Sequence, residues 1–271
     1  MTEKMPNIKS KFVMLFKAPK ETEEDNFVVH LKNAGYNALS IPVLAFKFVN
    51  TEKLASCLQE LDSYSAVIFT SPRTVQAAVL AAEHIQSSES GPLGLDKIKC
   101  YVVGKSTGAA AKKAGFKPEG EGAGNASELA DIIIAGSNSE GTKPFLYPCS
   151  NLRRDIITEK LKGKDFTLNE VTVYETCPNE SLETVVKSAV SSEGLPEFAV
   201  FFSPSGVLNT EHIVAEGILP LQKIKVVALG PTTNKELVSR GFSPIGTAKK
   251  PDPASLVEVL KQDLESADGN K

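Results

Sequence analysis

The amino-acid sequence predicts an α/β fold made of two similar open parallel sheets, each covered by helices on both faces. First, short runs of β-branched and aromatic residues alternate with segments whose apolar residues recur at helical spacing. Second, two such runs stop at Ser71-Pro72 and at Ser203-Pro204, sites that we call the Ser-Pro elbows. Third, the windows 101–118 and 227–244 follow the elbows and both end in Gly-Phe-x-Pro. The chain therefore reads as a duplicated unit, and each copy has the size of one domain, roughly 130 residues.

The first sixty residues already show the alternation. An uninterrupted apolar run predicts a buried strand at 12–16, and Phe27, Val28 and Leu31 have the spacing of one helix face within 26–33. Gly35 then ends that helix, because glycine tolerates the left-handed conformation that follows a last helical turn. A second strand is predicted at 38–43, an extended stretch at 44–49 and a helix at 54–61.

The rest of the chain repeats this order, and the Ser-Pro elbows begin two of its helices. Serine is a favoured N-cap, and proline suits the first helical position because its missing N–H is not needed there. The remaining strands are predicted at 67–70, 99–103, 145–147, 171–175, 199–202 and 225–229. The remaining helices are predicted to start at Pro204 and to span 72–86, 107–113, 126–135, 152–161, 182–190, 232–239 and 255–264.

Composition indicates an ordinary soluble protein with two domains. The 271 residues are 41% hydrophobic and 23% charged, with a formal net charge of −3. Only four residues are arginine and no basic run is present, so a nucleic-acid partner is not expected. The apolar run at 12–16 is too short for a signal-peptide core or a membrane span. We therefore expect a cytosolic protein that has no membrane partner.

Cysteine and histidine spacing predicts neither a metal site nor a histidine-based catalytic triad. The four cysteines are far apart and form no C-x-x-C pair, which favours reduced, mostly buried thiols: Cys57, Cys100, Cys149 and Cys177. The three histidines fall within helical patterns without the spacing of metal ligands or of a Ser-His-Asp triad.

Two glycine-containing stretches resemble nucleotide-binding loops, and neither fits. Gly104-Lys105-Ser106 matches the end of a P-loop, but Lys99 stands where the motif needs its first glycine. The stretch 120–124 lacks the G-x-G-x-x-G spacing, and its two neighbouring glutamates, Glu119 and Glu121, would repel a pyrophosphate. The sequence therefore predicts no nucleotide site.

The ends of the predicted strands point to an anionic ligand. Five of them end in residues that begin helices: Ser71-Pro72, Gly104, Tyr147-Pro148, Ser203-Pro204 and Gly230-Pro231. In open sheets of the Rossmann or flavodoxin type, ligands bind at the carboxyl ends of strands, where N–H groups at helix N-termini favour anions. Two such domains facing each other suit a ligand with several scattered carboxylates. For any single elbow, the alternative is simply a good helix start.

Seven segments, each weak alone, occur together in the order seen in one family. They are 69–73, 101–104, 124–126, 148–152, 173–176, 202–206 and 230–233. Over about residues 12–262 the chain thereby resembles the uroporphyrinogen-III synthases, and the animal members look most similar. The family often has glycine after Pro-Cys, where this chain has Ser150.

The resemblance implies a domain order that the repeat alone does not suggest. Domain 1 would comprise 1–43 plus 178–271, domain 2 would comprise 52–168, and a two-stranded β ribbon of 44–51 and 169–177 would join them. The resemblance also implies the reaction. The linear tetrapyrrole hydroxymethylbilane is closed to uroporphyrinogen III with inversion of ring D and loss of water, in heme biosynthesis. The enzyme would be a cytosolic monomer that uses no cofactor and no metal.

The resemblance and the strand ends together select the candidate site residues. Tyr174 matches a cleft tyrosine of the family, and a phenol keeps its proton at neutral pH and can donate it to the departing hydroxyl. The alternative is a strand tyrosine packed at a domain edge. The proposed donors to substrate carboxylates are Thr70, Ser71, Thr107, Ser203, Ser205, Thr232 and Thr233, with neighbouring N–H groups. The matched segments add Asn125, Cys149, Asn151 and Gly206. Arg73, Arg153 and Arg154 are expected either to pair with peripheral carboxylates or to lie solvated on helices.

Two other classes of protein share the predicted architecture. A non-catalytic binding protein with a hinged cleft would bind its ligand without forming a product. A nucleotide-sugar transferase with two Rossmann-like halves would show a nucleotide fingerprint and an acidic contact to ribose, and the sequence contains neither.

Overall fold

The structure, a computed structural model, describes residues 11–19, 25–86, 93–136 and 143–268. The strands are β1 Phe12–Lys17, β2 Asn37–Pro42, β3 Leu44–Phe48, β4 Ala66–Phe69, β5 Lys99–Val102, β6 Lys117–Glu119, β7 Phe145–Ser150, β8 Leu168–Pro178, β9 Phe198–Phe201, β10 Lys225–Leu229 and β11 Gly246–Ala248. The helices are α1 Asn26–Asn33, α2 Thr51–Gln59, α3 Pro72–Gln86, α4 Gly104–Lys113, α5 Ala126–Gly136, α6 Ile156–Lys162, α7 Leu182–Glu193, α8 Pro204–Asn209, α9 Glu211–Ala215, α10 Pro231–Ser239 and α11 Pro253–Asp268.

Backbone contacts divide the chain into two compact units. Unit 1 combines the described residues up to Ala45 with those from Cys177 onward, and unit 2 runs from Phe46 to Thr176. The predicted ribbon segments 44–51 and 169–177 overlap β3 and β8, which are hydrogen-bonded neighbours. However, β8 also pairs with β7 along most of its length, and it is therefore a full strand of the unit 2 sheet.

Corresponding strands take the same places in the two sheets, although the chain of unit 2 enters its sheet at a different strand, so that the two strand orders are circular permutations of each other. In unit 1 the order is β2-β1-β9-β10-β11, and in unit 2 it is β8-β7-β4-β5-β6 with β3 added beside β8. The neighbouring strands pair in parallel from β2 to β11 and from β8 to β6. The prediction of a duplicated α/β fold with parallel sheets is confirmed. The order is that of a flavodoxin-like sheet, in which ligands bind where the chain direction across the sheet reverses. Those positions are the ends of β1 and β9 in unit 1 and of β4 and β7 in unit 2.

Both faces of the central strands are buried, which explains their uninterrupted apolar runs. Along β1, Phe12, Met14 and Phe16 pack into one hydrophobic cluster, while Val13 and Leu15 pack into the cluster on the opposite face. This alternation follows from the two-residue period of a strand. On one face the Phe16 ring stacks on that of Phe201, with centroids 4.9 Å apart.

Several element boundaries differ from those predicted. α4 begins at Gly104 rather than 107, because that glycine adopts a φ of +77° at the turn from strand to helix. α6 begins only at Ile156, because a turn at 150–153 precedes it. The three-residue strands β6 and β11 were not predicted, since neither carries enough apolar residues to form a recognisable pattern.

The prediction that Tyr147-Pro148 begins a helix is wrong, because β7 continues through Pro148 to Ser150. Parallel pairing of β4 with β7 stops at Val67 and Leu146. The N–H of Phe145 points towards β8, so by alternation the missing N–H of Pro148 would face β4. Proline thus removes a ladder donor beyond the last pair of β4 with β7, where it interrupts no pairing between these two strands.

Gly104 is the first residue of α4 and Gly230 directly precedes α10; their φ values are +77° and +97°, and an added Cβ at either would meet nothing within 4 Å. Gly104→Ala and Gly230→Ala should each lower the free energy of unfolding by about 1–2 kcal/mol, through backbone strain alone. Urea denaturation measures this loss. Gly136→Ala, at a helical glycine with equal space and no positive φ, is the matched control and should stabilise by about 0.5 kcal/mol. Equal effects at all three positions would contradict the strain argument.

Candidate functional site

In unit 2 the first Ser-Pro elbow lies at the carboxyl end of β4. The half-buried Thr70 and Ser71 follow the strand directly, and α3 begins at Pro72. The Ser71 hydroxyl accepts the Thr74 N–H at 3.4 Å, so it serves as a weak N-cap. The Thr70 side chain is hydrogen-bonded to the phenol of Tyr147, and burial raises the pKa of Tyr147 to about 12. Tyr147 therefore stays protonated beside the elbow.

Arg73, the second residue of α3, lies flat against an aromatic ring. Its guanidinium carbon is 3.3 Å from the ring centroid of Phe46 and 5.9 Å from that of Tyr174. The rings of Phe46 and Tyr174 meet edge to face, 6.1 Å apart and inclined at 75°. Tyr174 is 8% exposed. The structure thus brings two predicted site residues together around Phe46, a residue that the sequence analysis did not single out.

A tight turn after β7 is bound to β8 beside Tyr174. The Arg153 N–H donates to the Ser150 carbonyl at 3.2 Å, which closes the turn. The Asn151 N–H donates to the Tyr174 carbonyl, and the Asn151 side-chain oxygen accepts the Thr176 N–H at 3.0 Å. Asn151 therefore fixes the turn to the strand that carries Tyr174.

Arg153 and Cys149 are committed to contacts within unit 2. The Arg153 guanidinium forms an ion pair with Glu170 and lies 3.6 Å from an Asp155 oxygen. The Cys149 side chain is fully buried, and burial raises the pKa of its thiol. Arg154, in contrast, is exposed. Of the three residues, Arg154 alone has the accessibility expected of a peripheral contact.

Thr107 and Asn125 also have local roles. Thr107 is 1% exposed within α4, so its hydroxyl does not reach the surface. The Asn125 side-chain oxygen accepts the N–H groups of Ser127 and Glu128, which makes it the N-cap of α5. The Glu128 carboxylate accepts from the Asn125 amide and from the Gly124 N–H, as in a capping box.

In unit 1 the second Ser-Pro elbow follows β9. The Ser203 hydroxyl accepts the Gly206 N–H at 3.3 Å and lies 3.0 Å from the Ser205 hydroxyl. Both serines are half-buried, whereas Gly206 is buried against the Phe16 carbonyl. The elbow therefore presents a pair of hydroxyls at the end of the central strands.

The neighbouring strand β10 ends at Leu229, Gly230 follows it, and α10 begins at Pro231. Thr232 is exposed in the first turn of this helix. Thr233 is 1% exposed, and its hydroxyl donates to the Leu229 carbonyl at 3.3 Å. Of the two predicted threonines, the structure gives only Thr232 an accessible hydroxyl.

A buried lysine at the end of β1 escaped the sequence analysis. The Lys17 ammonium lies 2.9 and 3.1 Å from the two Asp25 carboxylate oxygens, and 4.8 and 4.9 Å from the ring centroids of Phe27 and Phe202. Burial alone would raise the pKa of Asp25, but hydrogen bonds from Lys17 and the Phe27 N–H outweigh it and hold this pKa below its usual value. The sequence feature that could have identified Lys17 is its position directly after the apolar run at 12–16.

The remaining features that bear on a ligand lie away from these strand ends. A cavity of about 650 Å³ lies at the amino ends of β4 and β5 and is lined by residues including Tyr64, Lys97 and Lys99. Within the ranges described, no group of three or more His, Cys, Asp or Glu side chains is arranged to hold a metal ion. None of the described helices is long and apolar enough to cross a membrane. The four cysteines are free, and three of them are buried, as expected.

Comparison with known proteins gives a consistent result. A family model described as Uroporphyrinogen-III synthase HemD matches residues 25–258. The uroporphyrinogen-III synthase of Saccharomyces cerevisiae is 28% identical over 255 residues, covering 88% of this chain and 91% of that protein. The synthase of Schizosaccharomyces pombe is 28% identical over 239 residues, covering 87% and 91%.

Solved structures show the same fold. The uroporphyrinogen-III synthetase of Helicobacter pylori has a TM-score of 0.52 at 18% identity, covering 94% of this chain and 99% of that one. A mutant uroporphyrinogen III synthase of Thermus thermophilus has a TM-score of 0.50 at 16% identity, covering 95% and 100%.

Asp25→Asn should lower the free energy of unfolding at pH 7 by about 3 kcal/mol, because the buried Lys17 ammonium loses its counter-charge while the helix N-cap is kept. The folded-state pKa of Asp25 lies below 3.8, so the carboxylate contributes fully above that pH and less as the pH falls through the lowered value. The difference between variant and parent should therefore be constant from pH 7 to about pH 4.5 and shrink in more acidic buffer.

Urea denaturation across this range measures the difference. Asp96→Asn, which removes an exposed partner of Lys117, is the matched control and should cost less than about 1 kcal/mol. A difference that stayed unchanged into the acid range would contradict the proposed ion pair.

Proposed function

Since the chain belongs to the uroporphyrinogen-III synthase family and is an enzyme of tetrapyrrole biosynthesis, we propose that it closes hydroxymethylbilane to uroporphyrinogen III. Ring D is inverted and water is lost. The observation that carries the proposal is the extent of the family match, which takes in both Ser-Pro elbows and Tyr174. The polar residues that follow β4 and β9 support it, because such a substrate requires donors to its carboxylates.

The substrate carries acetate and propionate groups on every ring, and the accessible hydroxyls at the strand ends suit them. In unit 2 we assign carboxylate binding to Thr70 and Ser71, and in unit 1 to Ser203, Ser205 and Thr232. Neighbouring N–H groups at the starts of α3 and α10 add further donors. The side chains of Thr107, Cys149 and Thr233 are buried, so we assign them to packing beneath the strand ends and not to contact with the substrate.

The arginines have different roles in this proposal. Arg73 presents its guanidinium beside the first elbow, where in-plane N–H groups suit a carboxylate. Arg154 is exposed and suits a peripheral carboxylate. Arg153 is already paired with Glu170, so we assign it to holding the turn after β7. Asn125, Asn151 and Gly206 likewise shape the backbone at the strand ends.

The reaction places most of its demands on geometry. The pyrrole nitrogen of ring A expels the hydroxyl, which takes up a proton and leaves as water, and an azafulvene cation remains. The substituted carbon of ring D attacks this cation and gives a spiro intermediate, which fragments and recloses with the ring inverted. Without guidance the cation closes at the unsubstituted position instead. Holding one conformation of a reactive substrate is therefore the main contribution that we assign to the protein.

We assign to Tyr174 the role of the acid that donates a proton to the departing hydroxyl. Its backbone is held by the Asn151 turn and its ring by Phe46. A phenol can deliver a proton at neutral pH and then regain it from solvent. The cofactor-free reaction and the monomeric state stay predictions from the resemblance, and the cytosolic location stays a prediction from the N-terminal sequence. Light scattering after gel filtration measures the oligomeric state.

Incubation with freshly prepared hydroxymethylbilane tests the function. The protein should yield mainly the inverted isomer, and chromatography of the oxidised porphyrins separates it from the uninverted product of spontaneous closure. Heat-denatured protein is the control. Formation of only the uninverted isomer at the spontaneous rate would refute the assignment, and tight binding without turnover would indicate a binding protein instead.

Tyr174→Phe should lower kcat by about 10- to 100-fold and leave KM nearly unchanged, because it removes the proton donor without altering the ring packing. Steady-state kinetics with folding checked by circular dichroism measures the effect. Tyr36→Phe is the matched control, since the Tyr36 hydroxyl is buried in unit 1 and has no hydrogen-bond partner among the described residues. Turnover of Tyr174→Phe close to that of the control would remove Tyr174 as the acid.

A further inference from the structure

Phe46 contacts the guanidinium of Arg73, which lies beside the first Ser-Pro elbow in unit 2. Nothing in the sequence around Phe46 indicated this contact. Phe46 lies in β3 and is half-buried against the hydrophobic cluster formed by α2, α3 and the neighbouring strands. The guanidinium carbon of Arg73 is 3.3 Å from its ring centroid. This distance is the usual separation of two stacked planar groups. If the guanidinium stood edge-on, its nitrogen atoms would overlap the ring. The two planes are therefore stacked.

A stacked guanidinium is held by its face, so its N–H groups point sideways along the plane. A planar fork in a fixed orientation binds a carboxylate through two parallel hydrogen bonds, which a freely rotating side chain achieves only after losing conformational freedom. The ring also attracts the cation through its quadrupole. Phe46 thus limits the orientations of Arg73 before any ligand arrives.

The position of this stack connects it to the site. Arg73 is one residue beyond Pro72 of the first elbow, and its guanidinium carbon is 5.9 Å from the ring centroid of Tyr174. Phe46 also contacts the Tyr174 ring edge to face. The same aromatic side chain therefore borders the proposed carboxylate-binding arginine and the proposed acid.

We propose that Phe46 is a positioning residue that holds the Arg73 guanidinium in the orientation that binds a substrate carboxylate. This inference rests on the proposed function, because it assigns Arg73 to that substrate. Phe46 itself touches no reacting atom, and its effect on substrate binding passes through Arg73. A residue that only filled the core would affect the stability of the protein. Its substitution would then change KM by the same factor whether or not Arg73 is present.

The test is a double-mutant cycle between Phe46 and Arg73 with hydroxymethylbilane as substrate. Phe46→Leu keeps an apolar side chain and removes the aromatic face, and it should raise KM by roughly 5- to 30-fold with a smaller change in kcat. Phe46→Tyr keeps an aromatic ring, so its KM should stay within about 2-fold of that of the parent. In the Arg73→Gln background, Phe46→Leu should change KM by less than about 2-fold, because the group it positions is absent.

Phe48→Leu is the matched control, since Phe48 lies two residues along the same strand and packs on the same cluster. It should leave KM within about 2-fold of the parent. Equal effects of Phe46→Leu and Phe48→Leu, or an equal effect of Phe46→Leu with and without Arg73, would overturn the inference. If Phe46→Leu does not fold, Phe46→Ile replaces it in the cycle. Failure of the parent protein to form the inverted isomer would refute the proposed function instead, so the two failures are distinguishable.

Discussion

Burial of both faces of each sheet is the constraint on which the other features of this protein depend. In a parallel sheet covered by helices, successive side chains of a central strand enter opposite hydrophobic clusters, as Met14 and Leu15 do in β1. A polar group on such a strand has no accessible position until the strand ends. Hydroxyls and charges therefore collect at the strand ends, where helix starts supply unpaired N–H groups. The site residues follow from the topology of the sheet.

The clearest parts of the sequence pattern were those in which local preference and burial agree. Apolar runs, Ser-Pro helix starts and glycine after helices located most elements and both elbows. Pro148 misled because proline usually begins or ends an element, whereas here it lies in a strand whose missing donor faces a neighbour that has already diverged. β6 and β11 escaped detection because three residues carry almost no periodic signal.

The site could be predicted in position but less well in detail. The strand ends at Thr70 and Ser203 followed from the pattern, since a sheet edge gathers strand ends whatever the side chains are, whereas Tyr174, which lies within β8, followed from the resemblance alone. Accessibility did not follow, and Thr107 and Thr233 proved buried because successive helical residues point about 100° apart, so a difference of one position turns a hydroxyl inward or outward. Contacts between residues distant in sequence, such as Lys17 with Phe202 or Arg73 with Phe46, depend on packing that a single sequence does not encode visibly.

The interruption of unit 1 by unit 2 has a consequence for how the polypeptide folds as it leaves the ribosome. Unit 2 is continuous and gains all of its strands in one stretch of synthesis. The central strand β1 of unit 1 is made first, yet its partner β9 emerges only after the whole of unit 2. Until then β1 and β2 form an incomplete sheet with an unpaired apolar edge, the kind of edge that invites aggregation. Chaperone demand during synthesis is therefore expected to concentrate on β1 and β2, although β1 is ultimately buried on both faces.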